Sequence, residues 1–153
     1  MNREIKFRAK CFDGYWVYGD LHLLCDQPHI HTAESPYPYA GKRKFIDPDT
    51  IGQYTGLKDK NVVEVYEGDV VVRRDLTFDI EKTCVVVYNS EIASFRLHHQ
   101  DKMYTMRYDF ITSDTYNDGK CKVDVKYEYE VIGNIYDNPE LIKDWKYDRE
   151  KNQ

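Results

Sequence analysis

Long apolar runs are absent from this 153-residue chain: no stretch comes near the roughly 20 residues that a helix needs to cross a bilayer, so the sequence predicts no membrane partner. Proline is scarce, and four of the five stand at 28, 36, 38 and 48, which leaves residues 49–138 free of a residue that interrupts a sheet. The four cysteines, at 11, 25, 84 and 121, include no CxxC pair, which removes the zinc-ribbon and thioredoxin-type readings. Positive charge is not in excess, with 22 Lys and Arg against 27 Asp and Glu. A global field that would draw in nucleic acid is therefore missing, although local basic patches remain open. The opening decapeptide MNREIKFRAK carries no apolar signal segment, and a reducing cytoplasm is the expected setting.

What the chain has in quantity is aromatic residues, fourteen Tyr and six Phe. Such side chains suit a pleated, half-buried surface and are enriched at protein contacts, so they point to a β-rich fold and to self-association. Ile5, Phe7 and Ala9 alternate with Lys6, Arg8 and Lys10, which predicts a strand with one wet face. Asp13-Gly14 supplies a turn, and residues 15–24 read as the returning strand of a hairpin. Residues 26–50, rich in proline, read as an irregular excursion. Val70–Val72, Cys84–Tyr88, the alternating Tyr104, Met106, Tyr108 and Phe110, and a long run with Val123, Val125, Tyr127, Tyr129 and Val131 on one face each predict a strand. Residues 112–120 read as the connection before that last strand. At the end of the chain Asn138 as N-cap, Pro139 in the first turn and the spacing of Leu141, Ile142 and Trp145 predict a short helix.

The stretch TIGQYTGLKDKNVVEVYEGDVVV, residues 50–72, has glycines near a lysine, which faintly suggests a phosphate loop. That motif requires G-x-x-x-x-G-K-[ST] between a strand and a helix, and here Leu57 follows Gly56 and a strand follows the turn. A bend is the expectation, with Gly52 and Gly56 allowing unusual backbone angles, Asp59, Lys60 and Asn61 forming a polar turn, and Gly68-Asp69 opening a strand whose aspartate caps the turn. Tyr18-Gly19-Asp20-Leu21 echoes the last pattern.

Three blocks carry a family resemblance: Arg3–Ala9 with Tyr18–Leu21, Ile51–Asn61 with Tyr66–Val70, and Val131–Leu141. Together they resemble the YopX-like family of phage and prophage proteins, and Ala93-Ser94-Phe95 with Leu97 adds a weaker fourth block. At Val62 family members often carry a glycine. The resemblance implies an SH3-like small barrel with an N-terminal β portion, made in the cytoplasm of a bacterial host, and implies no reaction, cofactor or catalytic residue. The expected layout is an N-terminal β portion over residues 1–61, the barrel over 62–137, and the helix and tail over 138–153, all in one compact unit.

Functionally, the leading expectation is a non-enzymatic accessory protein that binds a host or phage protein and self-associates, with Tyr15, Trp16, Tyr54, Tyr66 and Trp145 as contact or core anchors. A nucleic-acid binder is the alternative, built on Lys6, Arg8, Lys10, Lys42, Arg43 and Lys44 with Arg73-Arg74. A third reading, a small metal-dependent hydrolase, would need Asp20, Glu67 and Asp69 to converge. Turn capping accounts for those carboxylates without chemistry, as it does for Gly19, Gly52, Gly56 and Gly68. His29-x-His31 would place two imidazoles together on a strand, but the neighbouring prolines argue against a strand there and no third ligand has a recognisable spacing, so neither metal nor cofactor is expected.

Overall fold

The computed structural model describes residues 4–32, 43–100, 102–105, 112–116, 121–125 and 127–143. It is a mainly β, antiparallel protein that divides into two compact units, residues 1–56 and 57–153. The N-terminal hairpin forms as the alternation predicts. Strand β1 (Phe7–Lys10) pairs with β2 (Trp16–Leu24) in the register Phe7 to Gly19 and Lys10 to Trp16. Gly14, at φ +87°, closes the turn, and its N–H donates to the Cys11 carbonyl at 2.8 Å. Ile5 lies before the strand and is exposed rather than sharing the buried face with Phe7 and Ala9.

The proline-rich excursion is more regular than the sequence suggests. Strand β3 (Gln27–His31) pairs with β2, and β4 (Arg43–Phe45) pairs with β3. Pro28 is tolerated because it pairs with Leu23 on one side only: β4 covers His29, Ile30 and His31 and stops short of it, so no partner needs the missing N–H. A single 3-10 turn over Pro48–Thr50 follows, capped by the Asp47 carboxylate, which accepts from the Asp49 N–H at 3.0 Å. Thr50 locks this turn to β1, its Oγ1 accepting from the Lys10 N–H at 2.8 Å. Strand β5 (Gly52–Lys58) follows β1 in the order β4-β3-β2-β1-β5, with Gly52 opposite Arg8. The core of this unit is Ala9, Cys11, Val17, Ile30 and Ile46, packed by Phe7, Leu21 and Ile51. Burying a side chain such as Ile30, which is fully enclosed, stabilises by about 1.5–3 kcal/mol.

In the second unit β5 ends in the predicted polar turn and the chain returns as β6 (Glu64–Tyr66). Strands β7 (Asp69–Asp75), β8 (Ile80–Asn89), β9 (Ser94–His99), β10 (Lys102–Thr105) and β13 (Tyr127–Asn134) form one antiparallel sheet in the order β10-β9-β8-β7-β13. The consecutive apolar residues of β7 and β8 are explained by cover on both faces. Val71, Cys84, Val86 and Leu97 pack with Val65 on one side, and Val70, Val85 and Val87 meet Ile135, Leu141 and Ile142 on the other. Residues 112–116, expected as a connection, instead form strand β11 (Thr112–Tyr116) paired with β12 (Cys121–Val125). The long final strand therefore has two differently paired parts, β12 with β11 and β13 with β7.

At the end of the described chain Pro139–Ile142 makes one 3-10 turn, and residues beyond 143, Trp145 among them, lie outside the described part. Asn138 does not cap that turn with its side chain. Its carboxamide oxygen turns back over Gly133, where a Cβ would stand 2.4 Å from it, and accepts from the Asn134 N–H at 3.3 Å.

Val62 is the strained member of the polar turn: it has φ +66°, a left-handed conformation that β-branched residues disfavour, and it is 69% exposed. A left-handed L-residue costs about 1–2 kcal/mol, and glycine loses about 0.5–1 kcal/mol of that advantage through its looser unfolded chain. Val62→Gly is expected to stabilise the protein by about 0.5–1 kcal/mol, seen as a higher urea midpoint at unchanged slope. A lower midpoint would show that the isopropyl group, exposed as it is, contributes more than the backbone angle costs.

Candidate functional site

Register divides the first unit into two faces. Phe7, Ala9, Val17, Leu21 and Ile30 point to the core, so Arg8, Lys10, Trp16, Tyr18, Asp20, His22, His29, His31 and Arg43 share the other face. This face gathers much of what the sequence singled out. The Arg8 guanidinium carbon lies 4.7 Å from the Trp16 ring centroid and the Lys10 ammonium 5.8 Å from it, a cation-π arrangement. Arg8 was expected on a wet strand face, yet it is only 6% exposed. Opposite Gly52 no side chain competes for the space, and the long stem of arginine lies down under the indole.

Lys44 reaches Tyr15 instead, its Nζ donating to the Tyr15 hydroxyl at 2.8 Å and standing 5.4 Å from the ring centroid. That hydrogen bond is the main cause that raises the lysine pKa above its ordinary value, so Lys44 stays charged. Tyr15 and Tyr18 remain exposed, whereas Tyr54 and Tyr66 are buried and belong to the packing. Tyr66 donates from its hydroxyl to Glu64 at 2.6 Å. Lys42 and Trp145 lie outside the described residues. Residues 1–56 contain seven Lys and Arg and seven Asp and Glu, so the whole acidic excess of five resides in residues 57–153.

The turn residues separate by role. Gly56 and Gly68 take φ +85° and +82°, the left-handed region that favours glycine, while Gly52 is an ordinary strand residue. Asp69, buried in the second unit, accepts from the Tyr66 N–H at 2.7 Å, as turn capping requires. Asp20 lies in the first unit, exposed and directly across from His31. Among the described thiols Cys25 is exposed while Cys11 and Cys84 are buried, and desolvation pushes Cys84 up to about 11 against the weaker pull of Arg73 and Lys82.

One grouping that the sequence raises and sets aside, for want of a strand at His29-x-His31, does form. His22 pairs with His29, and the three rings of His22, His29 and His31 form a cluster with centroids 4.3–5.8 Å apart. His29 and His31 approach to 3.1 Å between their Nε2 atoms, and His29 Nδ1 faces the Gln27 carbonyl at 3.4 Å. The pKa of His31 is lowered, first by desolvation and then by His22, His29 and Arg43, with Asp20 opposing. The signal was present in the spacing. A two-residue turn at Cys25-Asp26, both at positive φ, sets His22 opposite His29, but Cys-Asp lacks the Asn-Gly signature that announces such a turn.

Fold and faces together define a small, mainly β antiparallel protein whose noncore surface in the first unit is aromatic, cationic and histidine-rich. The chain belongs to the YopX protein family, which matches residues 6–143. Its three sequence blocks coincide with β1 and β2, with the turns around Asp59 and Gly68, and with β13 and the 3-10 turn after it. No curated protein matches the chain.

Proposed function

We propose that this YopX-family protein is a non-enzymatic, phage- or prophage-encoded accessory module that acts in the cytoplasm of its bacterial host by binding protein, and that it self-associates through the same surface. The observation that carries this reading is the noncore face of the N-terminal sheet. Trp16 and Tyr18 stand there beside Arg8 and Lys10, with Tyr15 exposed at the entry to β2, and Trp, Tyr and Arg are the residue types that dominate binding energy at protein interfaces. The unit bearing that face has no net formal charge, which suits a protein partner better than a polyanion. The second unit, in this reading, is an SH3-like small barrel. Its support is the antiparallel meander β7-β8-β9-β10 with β13 added beside β7, and the break in register between Val131 and Gly133 that bends β13.

Sedimentation velocity tests self-association. The wild-type chain is expected to be oligomeric at tens of micromolar, and Trp16→Ala, which removes a hot-spot side chain, to weaken assembly by about 30-fold or more. A wild-type monomer across that range would remove the self-association reading.

The cations stacked on Trp16 favour one second reading, a single-stranded nucleic-acid surface. Titration of Trp fluorescence with single-stranded DNA at two salt concentrations separates the two. Binding that weakens steeply with salt selects nucleic acid, and its absence at low salt removes it.

A further inference from the structure

We propose that His22, His29 and His31, with Asp20, form a binding site for a divalent transition-metal ion of the zinc, nickel or copper class, on the β2–β3 hairpin. The register places all four side chains on one face of two adjacent strands. His22 is opposite His29 and Asp20 is opposite His31, so three imidazoles and one carboxylate occupy the corners of a single four-residue patch. Neutral imidazole is the preferred ligand of these ions, and one carboxylate adds charge compensation.

The two donor atoms already stand at a metal-binding spacing. Two nitrogens each about 2.0–2.1 Å from one tetrahedral ion lie about 3.3 Å apart, and about 2.9 Å apart at right angles in an octahedral one. The His29 and His31 Nε2 atoms, at 3.1 Å, fall between these spacings. His29 is held from behind as metal-binding histidines are: its Nδ1–H donates to the Gln27 carbonyl at 3.4 Å, so its Nε2 accepts from the His31 Nε2–H, and a bound ion takes the place of that proton, which moves to His31 Nδ1. His29 is buried in the hairpin face, which limits its rotation, whereas His22, stacked on His31, and Asp20 are exposed on their outer side.

As the side chains stand, no group of three or more His, Cys, Asp or Glu among the described residues surrounds one metal-sized point. The site is accordingly a preset His29–His31 pair that His22 and Asp20 complete by side-chain rotation. Arg43, across from His31 on β4, stands on the same face and its charge opposes the ion, which makes Asp20 the necessary counterweight.

Isothermal titration of the full chain with zinc or nickel chloride, in a non-chelating buffer near neutral pH, tests the site. One equivalent is expected to bind with a dissociation constant in the micromolar range. His31→Ala and His22→Ala are each expected to weaken it by at least the tenfold that loss of a mere outer partner causes. His99→Gln, in the other unit, serves as the control and is expected to leave binding unchanged. Should His31→Ala lower solubility, the histidine ring resonances of the wild-type chain give an independent readout, with those of His22, His29 and His31 shifting together on addition of zinc. Absence of stoichiometric binding at hundreds of micromolar metal, or binding that survives both alanine substitutions, overturns the proposal.

Discussion

Replacement of Gly19 by alanine is expected to destabilise the protein by about 3 kcal/mol or more and to dismantle the outer half of the N-terminal sheet. A Cβ at position 19 would stand 2.0 Å from the His31 carbonyl oxygen and 2.9 Å from its carbon, both backbone atoms, with the Ile30 Cγ2 at 3.2 Å. Contacts under 3 Å with backbone cannot be relieved by a rotamer change, so β3 must move away from β2. That movement carries Ile30 out of the core it shares with Ala9, Val17 and Ile46. Overpacking of this kind costs about 1–3 kcal/mol, and holding a non-glycine residue in a rare conformation, φ +155° here, adds about 1–3 kcal/mol. Against a typical total stability of about 5–15 kcal/mol, the loss is a large fraction. Gly14→Ala is the informative comparison: its φ is +87°, yet nothing lies within 4 Å of the added carbon, so only left-handed strain of about 1–2 kcal/mol remains. Urea denaturation followed by circular dichroism distinguishes them. Equal losses for the two variants would mean that the close approach of His31 to Gly19 is relieved at no cost.

The family blocks and the strands were legible because their signals are local. Phe7 and Ala9 alternate with Arg8 and Lys10, the valines of β7 and β8 form runs, and Gly68-Asp69 closes a turn whose donor and acceptor are three residues apart. What the sequence hides is decided by partners distant in the chain. Pro28 forbids a central strand position only if a neighbour needs its N–H, and the extent of β4 is not written at residue 28. Arg8 reads as solvated until Gly52 and Trp16 are placed beside it. The histidine cluster requires the turn at Cys25-Asp26 to be known to the residue, since a shift of one position in register would send His22 to the opposite face. Val62 shows the reverse case. Its departure from the glycine often found there in the family marks a backbone angle that no hydrophobic pattern could have revealed.

The largest effect in the second unit is expected from Asp59→Ala, a loss of about 3–5 kcal/mol. The carboxylate is 7% exposed, and it gathers three backbone donors. Oδ1 accepts from the N–H groups of Asn61 at 2.8 Å and Val63 at 2.9 Å, while Oδ2 accepts from Val131 at 3.0 Å. The first two bonds shape the turn between β5 and β6. The third reaches β13 on the edge opposite β7, where Lys60 also donates its backbone N–H to the Tyr129 carbonyl at 2.9 Å. The turn therefore covers an edge that would otherwise present unpaired groups, and the ion pair of Lys60 with Glu130 at 2.5 Å adds little because it is exposed. A hydrogen bond to a charged group contributes about 1.5–3 kcal/mol, and donors left buried without an acceptor cost about 1–3 kcal/mol each. Because the three bonds share one carboxylate, their losses do not sum in full. Asp59→Asn separates the two roles: the retained oxygen still serves Asn61 and Val63, whereas the amide nitrogen now faces the Val131 N–H, and a smaller loss of about 1–2 kcal/mol is expected. Hydrogen exchange gives the residue-level check. In Asp59→Asn the amide of Val131 should lose protection while those of Asn61 and Val63 keep it, and in Asp59→Ala all three should exchange faster. Retained protection at Val131 in both variants would show that β13 is held by its pairing with β7 alone.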